Sequence, residues 1–145
     1  MTIRIRWSAI RGKADPMWRW SGVLYSYIAP GGREILYIGK ADGANSTVRT
    51  RWNADDKAGF WRELERERGI FKHAVVVGDI DVGMRGRLTR ELLADLESLL
   101  IKWEQPWGNI QGRRVRNLSR PGMDVRCMEL GPGGSTTGMV ENDAP

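Results

Sequence analysis

The side chains best suited to chemistry in this chain are phenols and cations that follow one another between residues 22 and 51. The stretch reads GVLYSYIAPGGREILYIGKADGANSTVRTR. Its candidate reactive residues are Tyr25, Tyr27, Tyr37, Lys40, Arg49 and Arg51. Phenols, an ammonium and a guanidinium around glycine-rich backbone suit a phosphodiester better than a neutral substrate, because cations pair well with phosphate oxygens. The alternative is that the tyrosines only pack and the arginines only solubilise the surface.

Local patterns indicate how these residues would be positioned. VLYSYI and EILYIG are rich in β-branched and aromatic residues, and the Pro-Gly-Gly segment between them favours a chain reversal. The pattern therefore predicts a β-hairpin. Opposed side chains of antiparallel strands can touch, so the hairpin can bring Tyr25 or Tyr27 beside Tyr37. Ser46 or Thr47 then suits the N-cap of a helix that begins VRTRW.

Two more helices and a third strand are predicted further along. DDKAGFWRELERER, residues 55–68, suits a helix with a solvated charged face. HAVVVGDI predicts a strand buried on both faces, and His73 at its start is more often structural than catalytic. The third helix is predicted from an apolar stripe at helical spacing, and Pro106 should stop it. The stripe consists of Leu92, Leu96, Leu99 and Trp103.

Glu97 is the acidic residue that stands out in this third helix. It lies four residues after Leu93 and three before Leu100, at the edge of the apolar stripe rather than opposite it. An unpaired charge beside an apolar face is costly, so this carboxylate needs a partner. The partner would be an arginine or a metal ion.

Composition limits the class of protein. The chain has 145 residues, which fits one domain, and its 23 Lys and Arg against 18 Asp and Glu give a formal charge of +5. This balance suits a polyanionic partner. Cys127 is the only cysteine and His73 the only histidine, so neither an intramolecular disulfide nor a zinc cluster is expected. The sequence carries no signal-like or membrane-spanning run, and we expect a cytoplasmic protein without membrane contact.

Four motifs, GVLY, LYIGKA, VRTRW and the stretch from Glu97 to Asn109, resemble those of the GIY-YIG nuclease superfamily. The second motif is matched by Tyr37, Ile38 and Gly39, which Lys40 follows. The first usually reads Gly-x-Tyr, whereas GVLY has Leu24 in that place and the tyrosine one residue later. A shift of one residue turns a strand side chain to the other face unless a bulge restores it. We expect a local bulge that places Tyr25 in the site, with Tyr27 as the alternative on the same face.

The last motif of the resemblance begins at Glu97 in the third predicted helix. The family pattern of Glu, an aliphatic pair, Pro and Asn is matched by Glu97, residues 100–101, Pro106 and Asn109. The resemblance spans residues 22–109 in the correct order. It implies an α+β fold with a small mixed three-stranded sheet flanked by helices. We therefore expect a Trp- and Arg-rich extension over 1–21, the catalytic domain over 22–110, a basic extension over 111–130 and a disordered tail over 131–145.

The resemblance also implies a role for each matched residue in cutting DNA. Glu97 would hold a single Mg²⁺ or Mn²⁺ ion, and Asn109 would brace the site through hydrogen bonds. Tyr25 or Tyr37 would deprotonate the attacking water, helped by Lys40. Arg51 would bind the phosphate, and it is preferred to Arg49 because a bulky apolar residue follows it. Arg49 is then expected to contact DNA outside the reacting phosphate.

One departure leaves a second function open. Many family members have a His or Tyr one helical turn after the arginine, whereas this chain has Asp55 there. Together with Leu24, this departure is compatible with an inactive DNA-binding module on the same scaffold. A third hypothesis is an interaction protein whose basic surface is incidental. Since the chain is short, an active enzyme would have low sequence specificity, recognise DNA structure, or depend on a protein partner or a homo-oligomer.

The stretch after Asn109 is strongly basic. Arg113, Arg114, Arg116 and Arg120 occur with no acidic residue among them, and MDVRCMEL after them predicts a last short strand. Such a basic run would contact phosphates without reading base sequence, although a solvated basic loop has the same composition.

Neutralising three arginines of this run tests the DNA contact. In the Arg113→Gln, Arg114→Gln, Arg116→Gln triple variant, the slope of log affinity for DNA against log salt concentration should become shallower. Each lost phosphate contact lowers the slope by about 0.9. The measurement is a fluorescence-anisotropy titration at several salt concentrations, and an unchanged slope would remove this segment from the interface.

Overall fold

The computed structural model describes residues 2–30, 34–53, 55–71, 73–84, 86–110, 124–128 and 139–141. The strands in these ranges are β1 (Thr2–Ala9), β2 (Val23–Ile28), β3 (Ile35–Ala41), β4 (Ala74–Asp81), β5 (Asp124–Met128) and β6 (Met139–Glu141). The helices are α1 (Val48–Trp52), α2 (Asp55–Arg68), α3 (Arg90–Glu104) and α4 (Trp107–Ile110), and a 3₁₀ helix spans Pro16–Arg19. None of the described helices combines the length and apolar character needed to cross a membrane.

All of these strands belong to one sheet, in the order β3-β2-β4-β1-β5-β6. The pairs β3–β2, β2–β4 and β4–β1 are antiparallel, β5 is parallel to β1, and β6 is antiparallel to β5. The α+β class is confirmed, and β2, β3 and β4 are the three strands that the sequence predicts. The predicted size of the sheet is wrong, because β1, β5 and β6 extend it.

The alternating sequence IRIRW near the N-terminus predicts a short edge strand, but β1 pairs with β4 on one side and β5 on the other, so the edge position is wrong. Ile3, Ile5 and Trp7 are buried, while Arg4 and Arg6 between them are exposed. This alternation shows that one face of the strand is covered, and a half-covered interior strand has the same alternation as an edge strand. The pattern therefore could not reveal how many neighbours β1 has.

The C-terminal expectations have mixed outcomes. β5 lies where a last short strand was predicted. β6 falls within residues 131–145, for which the sequence predicts a disordered tail, and the assignment of that tail stays a prediction. Residues 111–123, 129–138 and 142–145 lie outside the described part of the chain.

The sheet separates two apolar layers. On one face, α3 packs on β1, β2 and β3, and the core there includes Leu24, Ile38 and Leu96. The other layer contains Tyr25 and Tyr27, because successive strand residues point to opposite faces. The other stripe leucines, Leu92 and Leu99, and their neighbours Leu93 and Leu100 are buried as expected, but Trp103 is 39% exposed.

β4 is less buried than its apolar run predicts. Val75 and Val77 are buried, but Asp79 and Asp81 at the end of the strand are exposed. These two aspartates lie opposite Arg6 and Arg4 of β1, on the face that α3 does not cover. The strand is therefore covered on both faces only over its central residues.

An aromatic cluster forms the tyrosine side of the core and encloses His73. The imidazole stacks on Trp61 with ring centroids 4.0 Å apart, and Trp52 and Tyr27 lie 4.6 and 5.9 Å away. Its Nε2 is buried without a hydrogen-bond partner among the described residues. Burial lowers the pKa of His73 below its ordinary value of 6.5. His73 is therefore a neutral packing residue, as the sequence indicates.

This environment makes stability depend on pH. Since the folded chain resists protonation of His73, the unfolded chain binds more protons as the pH falls below about 6.5, and the free energy of unfolding decreases. His73→Phe should remove this decrease between about pH 7.5 and pH 5. Urea unfolding of both proteins across this range measures the difference, and equal slopes for parent and variant would contradict the prediction.

Candidate active site

A cavity of about 310 Å³ gathers most of the residues predicted to do chemistry. Its described lining consists of Tyr25, Tyr37, Lys40, Asp42, Ser46, Arg51 and Glu97. These side chains come from β2, β3, α1, α3 and the loop between β3 and α1. Residues far apart in the sequence therefore converge on one concave surface that carries phenols, cations and carboxylates.

The first tyrosine reaches this cavity without the bulge that was predicted. Pairing of β2 with β3 is regular from Val23 through Tyr27, and the register shifts only between Tyr27 and Ile28. Leu24 points into the core beneath α3, so simple alternation sends Tyr25 to the opposite face. The displaced tyrosine is accommodated by a regular strand.

Tyr25, rather than Tyr27, lines the cavity. The Tyr27 ring lies 5.4 Å from both Tyr25 and Tyr37, but it also packs on Trp61 at 4.8 Å and Trp52 at 5.2 Å. Tyr27 is 1% exposed and belongs to the aromatic cluster around His73. The two candidate tyrosines therefore share a face but have different surroundings.

Gly39 provides the space for the Tyr25 ring. Tyr25 and Gly39 are directly opposite in the β2–β3 ladder. A Cβ atom built on Gly39 would collide with the hydroxyl and the ring of Tyr25. Gly39 therefore lets the Tyr25 ring lie across β3 and reach the cavity.

Arg51 reaches the cavity and Arg49 does not line it. α1 begins with Thr47 as its N-cap, whose hydroxyl accepts a hydrogen bond from the Thr50 backbone N–H. Residues two apart on a helix point in different directions. Arg51 hydrogen-bonds the Tyr25 hydroxyl, whereas Arg49 donates to the carbonyl of Lys13 at 2.9 Å. The choice of Arg51 for the phosphate therefore agrees with where the two guanidinium groups lie.

Asn109 binds the backbone of the motif strand. Its Oδ1 accepts a hydrogen bond from the Ile38 N–H at 2.7 Å, and its Nδ2 donates to the Ile38 carbonyl at 2.8 Å. Asn109 is 1% exposed, and β3 is at the end of the sheet. The side-chain amide thus replaces a neighbouring strand and holds α4 against β3, next to Tyr37.

Lys40 is held at the cavity by Asp42. The Lys40 ammonium lies 3.0 Å from the Asp42 carboxylate, which Arg90 also contacts at 3.0 Å. The hydrogen bond from Lys40, with that from Arg90, lowers the pKa of Asp42 below its usual range. Arg90 is at the start of α3, so this ion pair also connects the loop after β3 to the helix that carries Glu97.

The phenol of Tyr25 is strongly biased toward its protonated form. Burial raises the pKa of Tyr25, and the nearby Tyr37 and Glu97 raise it further, while the hydrogen bond and charge of Arg51 oppose the rise. Burial likewise raises the pKa of Tyr27. Tyr25 is therefore suited to donate a hydrogen bond rather than to accept a proton.

The carboxylates of the cavity limit which metal ion it can hold. Among the described residues, no three His, Cys, Asp or Glu side chains gather into a metal-binding group. The cavity contains Asp42, which is already engaged by two cations, and Glu97. A single carboxylate suits Mg²⁺ or Mn²⁺, because Mg²⁺ keeps several waters and takes its remaining ligands from substrate phosphates. The described carboxylates therefore suit an ion that keeps several water ligands, rather than an ion that protein side chains enclose completely.

Two residues near the site were missed by the sequence analysis. Asp42 is not part of any of the motifs. Its position just after the end of β3, close to Lys40 in the sequence, could have suggested an ion pair. Lys57 of α2 is 3% exposed, and its ammonium lies 4.0 Å from the centre of the Tyr37 ring. Only its helical spacing from Phe60 and Leu64, on the buried side of α2, could have indicated that Lys57 points inward.

Several predicted site residues cannot be placed. The side chain of Asp55 lies outside the described residues, although its backbone begins α2. The same holds for the four arginines of the basic run, Arg113, Arg114, Arg116 and Arg120. Their roles stay predictions.

No protein-family model, curated protein or solved structure matches this chain. The resemblance to the GIY-YIG superfamily therefore depends on its motifs.

A double-mutant cycle tests the packing of Tyr25 on Gly39. Gly39→Ala should destabilise the protein by about 1–3 kcal/mol, because the new methyl group overfills the space under the ring. In a Tyr25→Ala background the same change should cost far less, since the colliding atoms are gone. Urea unfolding measures all four proteins. Gly59→Ala on α2, where a Cβ meets nothing within 4 Å, is the control, and equal costs in both backgrounds would contradict the packing.

Proposed function

We propose that this protein is a GIY-YIG-type endonuclease that hydrolyses DNA phosphodiester bonds with one divalent cation. The observation that carries the proposal is the convergence of Tyr25, Tyr37, Arg51 and Glu97 on one cavity. The alternatives that the sequence offered, Tyr27 and Arg49, lie elsewhere. Because the motif residues were selected from sequence alone, their assembly by four separate elements supports the proposal.

Tyr37 is the residue best placed to accept the proton of the attacking water. The raised pKa of Tyr25 argues against that residue as the base, whereas Tyr37 lines the same cavity and has a cation over its ring. As the water oxygen bonds to phosphorus, its proton passes to the Tyr37 phenolate and the bond to the leaving sugar oxygen breaks. A positioned base of this kind contributes about 10²- to 10⁴-fold to a rate.

Tyr25, Arg51 and Lys40 are suited to bind the phosphate. The protonated Tyr25 hydroxyl can donate to a non-bridging oxygen, and the Arg51 guanidinium beside it can pair with the charge that develops there. Asp42 keeps the Lys40 ammonium at the wall of the cavity. These groups are held before the phosphate arrives, so little reorganisation is needed.

Glu97 would hold the cation, Mg²⁺ or Mn²⁺. When bound, such an ion neutralises the scissile phosphate and stabilises the leaving oxygen. Glu97 lines the cavity from α3, on the opposite side of the sheet from α1 and α2. The cation and the phenols would therefore approach the phosphate from different elements.

DNA is the proposed partner, because the chain carries a formal charge of +5 and the basic run follows the motif region. Such contacts are made to phosphates, so we propose low sequence specificity or dependence on a protein partner or homo-oligomer. The inactive binding module stays as the second candidate. Its support from Leu24 is weakened, since Tyr25 reaches the cavity without a bulge, and its support from Asp55 is unchanged.

Nicking of supercoiled plasmid tests the proposal. The parent should nick DNA with Mg²⁺ or Mn²⁺ and not with EDTA. Glu97→Gln should slow nicking by about 100-fold or more, because it removes the carboxylate that holds the cation while keeping the side-chain shape. Arg51→Gln should have a similar effect. Initial rates on agarose gels measure both variants.

Glu91→Gln is the matched control, because Glu91 is an exposed glutamate on the same helix. It should nick as fast as the parent. Equal rates for Glu97→Gln and the parent would contradict the assigned role of Glu97. A parent that binds DNA in a salt-sensitive manner but nicks with neither metal would favour the inactive module.

A further inference from the structure

Lys57 is a buried cation directly over one of the proposed catalytic phenols. Its side chain is 3% exposed, and its Nζ lies 4.0 Å from the centroid of the Tyr37 ring. Lysine is almost never fully buried unless a partner compensates the loss of hydration. The face of an aromatic ring is such a partner, because its negative quadrupole attracts a cation. The fold therefore keeps the Lys57 side-chain nitrogen beside Tyr37 and away from bulk water.

We infer that Lys57 is a positioning residue for Tyr37, which holds the ring in place and stabilises the negative charge of its phenolate. This inference depends on the proposed function, in which Tyr37 accepts the proton of the attacking water. A positive charge close to an oxygen in a poorly hydrated site acts more strongly than the same charge at the surface. Lys57 is not in the cavity lining, so it acts through Tyr37 and not on the phosphate.

The helix that carries Lys57 makes this placement rigid. α2 packs on the tyrosine layer through Phe60, Trp61 and Leu64, and Phe60 lies edge-on to Tyr37 with ring centroids 5.5 Å apart. Lys57 precedes Phe60 by one helical turn, so both side chains reach the same ring. The family resemblance expected a proton-transfer residue one turn after Arg51, at Asp55. In this structure α2 presents Lys57 to Tyr37.

Other charged and titratable groups also surround Tyr37 and define the controls. Among the described residues these are Tyr25 and Tyr27 on β2, Lys40 on β3, Asp42 in the loop after β3, Arg51 on α1 and Glu97 on α3. Arg51 hydrogen-bonds the Tyr25 hydroxyl, and Lys40 hydrogen-bonds Asp42. Lys57 lies over the face of the Tyr37 ring, so removing its charge should act on Tyr37 directly.

Substitution of Lys57 in the full chain, assayed by plasmid nicking, tests the inference. Lys57→Met keeps the length and apolar stem but removes the charge. Its kcat should fall by about 100-fold with KM for the plasmid unchanged, because the phosphate contacts remain while the base is impaired. The rate of the variant should reach its plateau at a higher pH than the rate of the parent. Lys57→Arg, which keeps the charge, should recover part of the loss.

A cycle with Tyr37→Phe separates positioning from simple structural support. In that background Lys57→Met should lower the residual rate by much less than in the parent, because the group it acts on is gone. Losses of equal size in both backgrounds, or a raised KM with an unchanged pH profile, would overturn the inference. Lys102→Met, at an exposed lysine of α3, is the matched control and should nick as fast as the parent.

Folding and the proposed function are checked in the same experiment. Near-ultraviolet circular dichroism and thermal unfolding show whether each variant is folded at the assay temperature, and Lys57→Gln replaces Lys57→Met if the latter is not. A parent that nicks no plasmid with either metal contradicts the proposed function. A parent that nicks, together with a folded Lys57→Met variant that nicks equally fast, contradicts only the role of Lys57.

Discussion

The pair of hydrogen bonds between Asn109 and the backbone of Ile38 is the constraint on which the candidate site depends. β3 is the last strand of the sheet on its side, and an unpaired buried backbone group costs about 1–3 kcal/mol. The Asn109 amide satisfies both the N–H and the carbonyl of Ile38. Gly108 makes this approach possible, since a Cβ there would meet Phe60 and the carbonyl of Leu36. Because α4 follows α3 directly, these bonds also fix where α3 presents its carboxylate to the cavity.

The second constraint is the layer of tyrosines that β2 and β3 bury together. The three phenol rings lie within 5.4–6.1 Å of one another and are nearly fully buried. Burial raises the pKa of Tyr25 and opposes a negative charge there, so any charge that forms must be matched by a nearby cation. Arg51 meets Tyr25 and Lys57 meets Tyr37. Two helices, α1 and α2, thus each bring a cation to a phenol of the cavity.

Much of this site could be predicted from the sequence because its parts follow local rules. The alternation of strand side chains predicts that Tyr25 and Leu24 lie on opposite faces of the same strand. Helical spacing predicts that Glu97 lies at the edge of an apolar stripe. The predicted bulge is absent because Leu24 faces the core beneath α3, which leaves Tyr25 on the cavity side of a regular strand. Which face Leu24 takes depends on the packing of α3, and the strand sequence does not specify that packing. The number of strands, the burial of Lys57 and the role of Asp42 depend on contacts between distant segments. The alternation of strand residues and the spacing of the motifs indicate which face of an element is covered. They do not indicate which distant segment of the chain covers it.

The arrangement of charge is compatible with the phosphate that the proposed function requires. The charge of Asp42 is offset by Lys40 and Arg90, so it repels an incoming anion less, and the Arg51 guanidinium lies beside the Tyr25 hydroxyl at the same cavity. A phosphodiester could then accept from Tyr25 and Arg51 together, with Glu97 on the opposite side. Lys57 bears on the choice between the proposed enzyme and the binding module. Its buried ammonium lies over Tyr37 and outside the cavity lining, so it acts first on the phenol, as the proposed role of Tyr37 requires.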